Sequence, residues 1–312
     1  MTQRILALHL GLIGLLFVLQ FVLPPYHHDN IARIMVMAAY AMGYNLMFGY
    51  TGLLSLGHAM FFAAGMYGMG LSMQHAGFAA EAALAVGITA GFGLALGVGL
   101  LALRTTGVAF MIVTLMFAQA LFLAILYFGP FTRGDEGFVI PLSARIFAGL
   151  RLSDPTIRYF AALALFALVL LAMLWLIRHP VGRVLIAIRE NEERTRMLGY
   201  DTWRHKLFAV TASGTISGTA GAVYGLLFGY VGASFAEVPY SIFPLLWVLL
   251  GGAGTLVGPF IGTLFMFYLI DLASGVTDAY MLVVGVALLL LTLFAPRGIM
   301  GMLRERWLPW LP

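Results

Sequence analysis

The chain has 312 residues, of which 62% are hydrophobic and 10% charged, with a formal net charge of +4 and no cysteine. Soluble domains carry roughly 25% charged residues, so this composition excludes an ordinary soluble fold and points to an integral membrane protein. The absence of thiols excludes disulfides, cysteine nucleophiles and thiolate metal sites.

Apolar segments follow one another at 5–23, 31–48, 53–74, 79–103, 107–128, 158–177, 207–232, 241–257, 259–274 and 279–295. About 18 apolar residues at a rise of about 1.5 Å each span a hydrocarbon core roughly 30 Å thick. The pattern therefore predicts an all-α polytopic membrane protein with about ten transmembrane helices, eight to ten given soft segment boundaries. The first segment follows Arg4 and ends in Leu23-Pro24-Pro25-Tyr26. It lacks a small-x-small cleavage site and reads as a retained helix rather than a signal peptide. Segments 53–74 and 241–257 adjoin glycine-rich breaks, GYTGLLSLG at 49–57 and GGAGTLVGPFIG at 251–262.

Charge orients the map. With the N-terminus inside, cytoplasmic segments hold 12 of the 17 basic residues: Arg4, Arg104, seven between 178 and 206, and Arg297, Arg304 and Arg306. That bias is what the positive-inside rule reads. An even number of crossings returns the C-terminus to the cytoplasm. The expected organisation is a single transmembrane domain over 1–312, with an outer loop at 129–157 and an inner loop at 178–206.

Several chemistries have no sequence support. There is no G-x-x-x-x-G-K-[ST] phosphate loop and no His-Glu-x-x-His pair, and the histidines have no metal-ligand spacing, so neither an enzyme nor a metal site is expected. His27 and His28, beside Asp29, read as solvated turn residues. Arg33, Glu81, Arg158 and Asp271 fall near helix ends, where interfacial snorkelling accounts for them; Asp271 comes nearest to a buried carboxylate. No ionisable couple in mid-membrane supplies an ion-driven energy source.

Residues 178–206, RHPVGRVLIAIRENEERTRMLGYDTWRHK, carry seven basic and four acidic side chains. At roughly 2.5–3.5 kcal/mol each, inserting them into a bilayer would cost about 30 kcal/mol, so this loop lies in water. Its order nevertheless predicts helices. Val184, Leu185 and Ile188 form an apolar stripe after Pro180 and Gly182. Asn191 is a suitable N-cap, Glu192 and Glu193 complement the helix dipole, and Gly199 suits a left-handed C-terminal position. Glu192 and Arg196 are spaced for an i, i+4 pair. So short a helix needs a neighbour to pack on.

Within the crossings, Ser55 and His58 adjoin a glycine break, and Thr114 and Gln119 sit in an otherwise apolar segment. Such residues line midplane solute paths or make interhelical hydrogen bonds; both readings remain open.

GRVLIAIRENEERTRMLGY at 182–200, followed by KLFAV, resembles the cytoplasmic loop of permease subunits of branched-chain amino-acid ABC importers of the LivM type. GYTGLLSLGHAMFFAAGMY at 49–67, GVAFMIVTLMFAQ at 107–119, LLGGAGTLVGPFIGT at 249–263 and FAPRGIMG at 294–301 are similar to that family's other motifs, in order. The resemblance implies a heterodimer with a homologous permease, two cytoplasmic ATPase subunits and a periplasmic substrate-binding protein. It implies no cofactor on this chain, ATP being used by the partners, and no nucleic acid. Arg189, Glu190, Asn191, Glu192, Arg194, Leu198 and Gly199 are the expected ATPase-coupling residues. Ser55, His58, Thr114 and Gln119 are the translocation-path candidates. The expected setting is the bacterial inner membrane. A self-contained secondary carrier or channel is the alternative.

Departures from the family pattern fall at Arg133, where T-G-G usually stands, at Ala109 in place of tyrosine, and at Thr195 in place of alanine. They leave open whether the ligand is leucine, isoleucine, valine or another small solute such as urea or an amide.

Overall fold

A computed structural model describes residues 2–277 and 297–306, together with 279, 282, 283, 285, 286, 289 and 293. Most of the expected 279–295 crossing lies outside the described residues. The helices are α1 (Thr2–Val22), α2 (Pro25–Asn45), α3 (Ala59–Ala76), α4 (Ala80–Ala102), α5 (Val108–Tyr127), the short α6 (Gly129–Thr132), α7 (Pro155–Arg178), α8 (Pro180–Glu190), α9 (Glu192–Met197), α10 (Thr202–Phe228), α11 (Val238–Gly251), α12 (Gly258–Ser274) and α13 (Gly298–Arg306). Among the described residues, five helical spans are long and apolar enough to cross a bilayer: Gln3–Val22, Pro25–Tyr50, Ala80–Ala102, Val108–Tyr127 and Pro155–Arg178. The apolar α11 and α12 are shorter.

The chain departs from an all-α fold in its loops. β1 (Phe138–Val139) pairs antiparallel with β4 (Tyr230–Val231), and β2 (Ile146–Phe147) pairs with β3 (Leu150–Arg151). The first ladder ties the 129–157 loop to the end of α10.

α2 occupies the centre, packed against α7, α10, α11 and α12, while α3, α4 and α10 pack mutually on one side of it. Its position explains its composition. Ile34, Met35, Val36, Tyr40 and Tyr44 have no exposed surface, because protein rather than lipid surrounds the helix on all sides. α1, by contrast, rests mainly on α7 and presents Phe17, Phe21 and Val22 outward.

The α3–α4–α10 contact depends on small residues. Without a hydrophobic drive between helices in lipid, close backbone approach through Gly, Ala and Ser takes over. A Cβ on Gly65 would collide with the Gly218 carbonyl, one on Gly221 with the Phe62 carbonyl, and one on Gly91 would sit 2.9 Å from Gly218 Cα. This also accounts for the moderate hydropathy of α10, whose Gly, Ser and Thr face other helices.

Two expected crossings begin or end differently. The 53–74 segment becomes helical only at Ala59. α2 first winds into a π-helical turn at Leu46–Tyr50, and residues 51–58 follow as an irregular link. The 241–257 segment stops at Gly251, with 252–257 irregular. Gly52, Gly252 and Gly254 have φ of +77°, +116° and +75°, backbone that glycine adopts without a Cβ penalty.

Gly65→Ala is expected to destabilise the protein by about 1–3 kcal/mol or more through overpacking. Gly93, where an added Cβ would meet nothing within 4 Å, is the control: Gly93→Ala should be neutral or stabilising by up to about 1 kcal/mol. Thermal unfolding of the detergent-solubilised variants, read by size exclusion, distinguishes the two.

Candidate functional site

Two polar centres stand out, one where the irregular links meet and one in the charged loop. At the first, Asn45 is fully buried. Its Nδ2 donates to the Thr255 carbonyl at 2.8 Å, and its Oδ1 accepts from the Gly254 amide at 2.9 Å. One side chain thus joins the end of α2 to the 252–257 link. Tyr44 donates to the Ser55 carbonyl at 3.0 Å, and the Leu56 amide donates to Thr114 Oγ1 at 3.3 Å. The Gly57 amide donates to Ser55 Oγ at 3.2 Å, and the Ala59 amide to Ser241 Oγ at 2.9 Å.

His58 lies beside this link with no exposed surface. Ser213 donates its hydroxyl proton to the Gly43 carbonyl, and Ser217 donates to the Ser213 carbonyl. Both hydroxyls can then only accept from the imidazole, which lies 2.9 Å from Ser217 Oγ and 3.2 Å from Ser213 Oγ through Nε2. That assignment places the proton on Nε2, and Nδ1 has no hydrogen-bond partner among the described residues. Tyr40 stacks on the ring at 5.8 Å, while Tyr44 and Phe61 meet it edge-on at 4.9 and 5.2 Å. His58 therefore pins α3 to α10.

The structure brings Ser55, His58 and Thr114 together around the 51–58 link, all buried. Gln119 stands apart, exposed on α5. Asn45, Tyr44, Ser213, Ser217 and Thr255 are not among the residues the sequence pattern marks. An asparagine inside an apolar helix is the available signal for the first of these.

In the charged loop, His179 caps α8 and Pro180 occupies its first turn, where the missing N–H costs nothing. Val184, Leu185 and Ile188 are buried as the stripe predicts. Asn191 Oδ1 accepts from the Arg194 amide at 2.8 Å, and Gly199 adopts φ +89°. The Glu192–Arg196 pair forms at 3.3 Å.

Glu192 does more than pair along its own helix. Its Oε1 lies 2.7 Å from the Lys206 ammonium and accepts from the Thr202 hydroxyl at 3.1 Å, locking α9 onto the start of α10. Burial alone would push this carboxyl up. The hydrogen bond and charge of Lys206, with Thr202 and Arg196, outweigh burial and hold it below the ordinary glutamate range. Beyond that lock, Met197, Leu198, Tyr200 and Trp203 remain exposed, an apolar tip flanked by exposed Glu193, Arg194 and Arg196.

At the opposite helix ends, the charges expected to snorkel instead make specific contacts. Asp29 pairs with Arg158. Arg33 donates to the Tyr224 hydroxyl at 3.2 Å and lies 4.5 Å from the Phe228 ring centroid. Asp271 accepts from the Tyr26 hydroxyl at 2.9 Å, and His27 reaches Tyr268 at 3.0 Å.

Long apolar helices around a buried, glycine-jointed centre, with one folded charged loop, are the features of a multi-pass membrane protein. Residues 29–293 match the family model described as branched-chain amino acid transport system / permease component. The high-affinity branched-chain amino acid transport permease LivM of Escherichia coli is 30% identical over 303 residues, covering 89% of this chain and 71% of that protein. Its Salmonella typhimurium counterpart is 29% identical with the same coverage. A probable LivM of Methanocaldococcus jannaschii is 34% identical over 108 residues, 34% of this chain and 31% of that protein. No solved structure matches. The chain belongs to the branched-chain amino acid ABC transporter permease family and is a multi-pass protein of the bacterial inner membrane.

Because the Glu192 carboxyl is held low, its stabilising contribution is fully present above about pH 4.3, the unfolded glutamate value, and is lost as pH falls through the lower folded value. Amide exchange across 192–206 should stay protected from about pH 7 to pH 5, whereas Glu192→Gln should raise exchange there even at pH 7. Its removal leaves the buried Lys206 without its carboxylate, a loss of about 1–3 kcal/mol.

Proposed function

We propose that this chain is one of two permease subunits of an ATP-driven importer for branched-chain or related small amino acids, moving solute inward by alternating access. Family membership supports partner ATPases and a binding protein. The homologous second permease, the count of about ten crossings and the cytoplasmic termini belong to the same proposal, as does a single permease domain over 1–312.

The observation that carries the proposal is the folded 178–206 loop. A merely solvated loop gains nothing by burying a stripe, capping both ends of α9 and locking Glu192 to Lys206 while leaving Met197, Leu198, Tyr200 and Trp203 in water. That tip has the composition of a docking element: an apolar knob within a charged rim. In this reading Leu198 enters a groove on the ATPase, with Arg194, Glu190 and the capped Asn191–Gly199 turn setting its approach. Closure of the ATPases then displaces α8 and α9.

The second permease finds its place along α5. Val108, Ile112, Met116, Gln119, Leu123 and Tyr127 fall on one exposed helical face. A glutamine facing lipid has no partner for its amide, so this stripe suits a protein neighbour. With Gln119 at the seam between two permeases, and Ser55, His58 and Thr114 behind it, the path lies between subunits.

Leu198→Asp is the direct test. Losing an inserted leucine removes about 1.5–3 kcal/mol of burial, equivalent to a tenfold or greater loss of affinity. Affinity purification from native membranes should recover the ATPases with the unaltered chain and at least about tenfold less with Leu198→Asp or Arg194→Glu. Full recovery together with undiminished ATP-driven uptake would refute the docking role, and uptake by this chain alone on an ion gradient would favour a secondary carrier.

A further inference from the structure

The sequence pattern groups Arg189 with the docking residues, but its side chain turns the other way. It closes the last turn of α8, and its guanidinium donates from Nη1 to the Gly49 carbonyl within the π-helical turn. The two preceding carbonyls of that turn, Met47 and Phe48, are taken by the Leu53 and Gly52 amides. The Arg189 stem runs across Gly52, where an added Cβ would lie 3.3 Å from Arg189 Cγ and 3.6 Å from its Cβ. On the far side sits Gly254, where a Cβ would come within 2.7 Å of Nη1 and 3.0 Å of the Gly49 carbonyl oxygen.

Three segments distant in sequence therefore meet at one guanidinium: the end of α8, the 46–58 break and the 252–257 break. Asn45 closes the joint by binding Gly254 and Thr255 from α2. A hydrogen bond from a charged donor is roughly twice as strong as a neutral one. The planar guanidinium presents several donors in a fixed fork, unlike the single mobile ammonium of lysine. Gly52 and Gly254 leave the space that the side chain occupies.

We infer that Arg189 is a positioning residue that links the docking loop mechanically to both helix breaks, passing displacement of α8 into the membrane domain rather than contacting the ATPase. The inference rests on the coupling function proposed above. Movement of α9 by the ATPases reaches α8 through their shared junction at Asn191, and Arg189 carries it to the backbone at Gly49. There Asn45 already holds both breaks together, so they move as one body.

The test uses the complete complex, both permeases with ATPases and binding protein, reconstituted in vesicles. Arg189→Gln should keep ATPase co-purification within about twofold and retain ATP hydrolysis, while amino-acid uptake per ATP falls about tenfold or more; Arg189→Lys should fall between. Unchanged uptake per ATP in both variants overturns the inference, as does loss of the ATPases in proportion to uptake, which would make Arg189 a docking contact. A native complex without associated ATPases would overturn the function proposal and this inference together.

Discussion

A buried backbone N–H or C=O left without a partner costs about as much as a lost hydrogen bond, so irregular backbone survives inside a protein only where other groups satisfy it. The rest of this structure follows from meeting that demand at two places, residues 51–58 and 252–257. Asn45 serves the second from the end of α2, Tyr44 and Thr114 serve the first, Ser241 takes the Ala59 amide, and Arg189 takes the Gly49 carbonyl. No single break could collect those partners alone. The two must sit against each other, which only glycine allows: a Cβ on Gly49 would strike Asn45 and lie 2.6 Å from the Gly254 amide.

That requirement places the helices. α2 must be central because it carries Asn45 and Tyr44 to the joint, and a central helix is covered by neighbours. α10 must approach closely enough for Ser213 and Ser217 to hold His58, so its facing surface is Gly, Ser and Ala. The same hydroxyls that make α10 a weak lipid-spanning sequence make it a good interhelical one. Peripheral helices face no such demand, and α1 exposes leucine, valine and phenylalanine instead.

What is legible in the sequence divides along sequence separation. The charged loop can be read almost completely because its determinants are local: Asn191 caps three residues ahead, Glu192 pairs four residues ahead, and Val184, Leu185 and Ile188 share a face within two turns. The glycine breaks are visible as breaks, but their mutual contact joins residues about 200 positions apart, and nothing in a local pattern encodes it. His58 and Ser55 stand out as polar residues beside a break, yet their neighbours are out of reach. Asp271 and Arg33 read as snorkelling side chains because the tyrosines that meet them, Tyr26 and Tyr224, lie on other helices. Arg189 takes its expected role from the resemblance of its loop to the family motif. Its direction depends on a carbonyl 140 residues earlier.

The 129–157 loop holds an arginine in backbone that favours glycine. Arg133 stands where the resembled family pattern has glycine, and it takes φ +66°, between Thr132 and Gly134 at φ +54°. An L-residue in that region carries roughly 1–2 kcal/mol of strain. The turn holds because Thr132 overdetermines it: its single hydroxyl proton is shared between the Ile125 and Phe128 carbonyls, and its oxygen accepts from the Gly134 amide. The β1–β4 ladder fixes the loop a few residues later. Glycine would relieve the strain without moving the chain, so the cost is attached to what arginine adds, an exposed cation beside exposed Asp135 and Glu136. Arg133 thus places an exposed cation, on a strained but bonded turn, at the end of the molecule opposite the 178–206 loop.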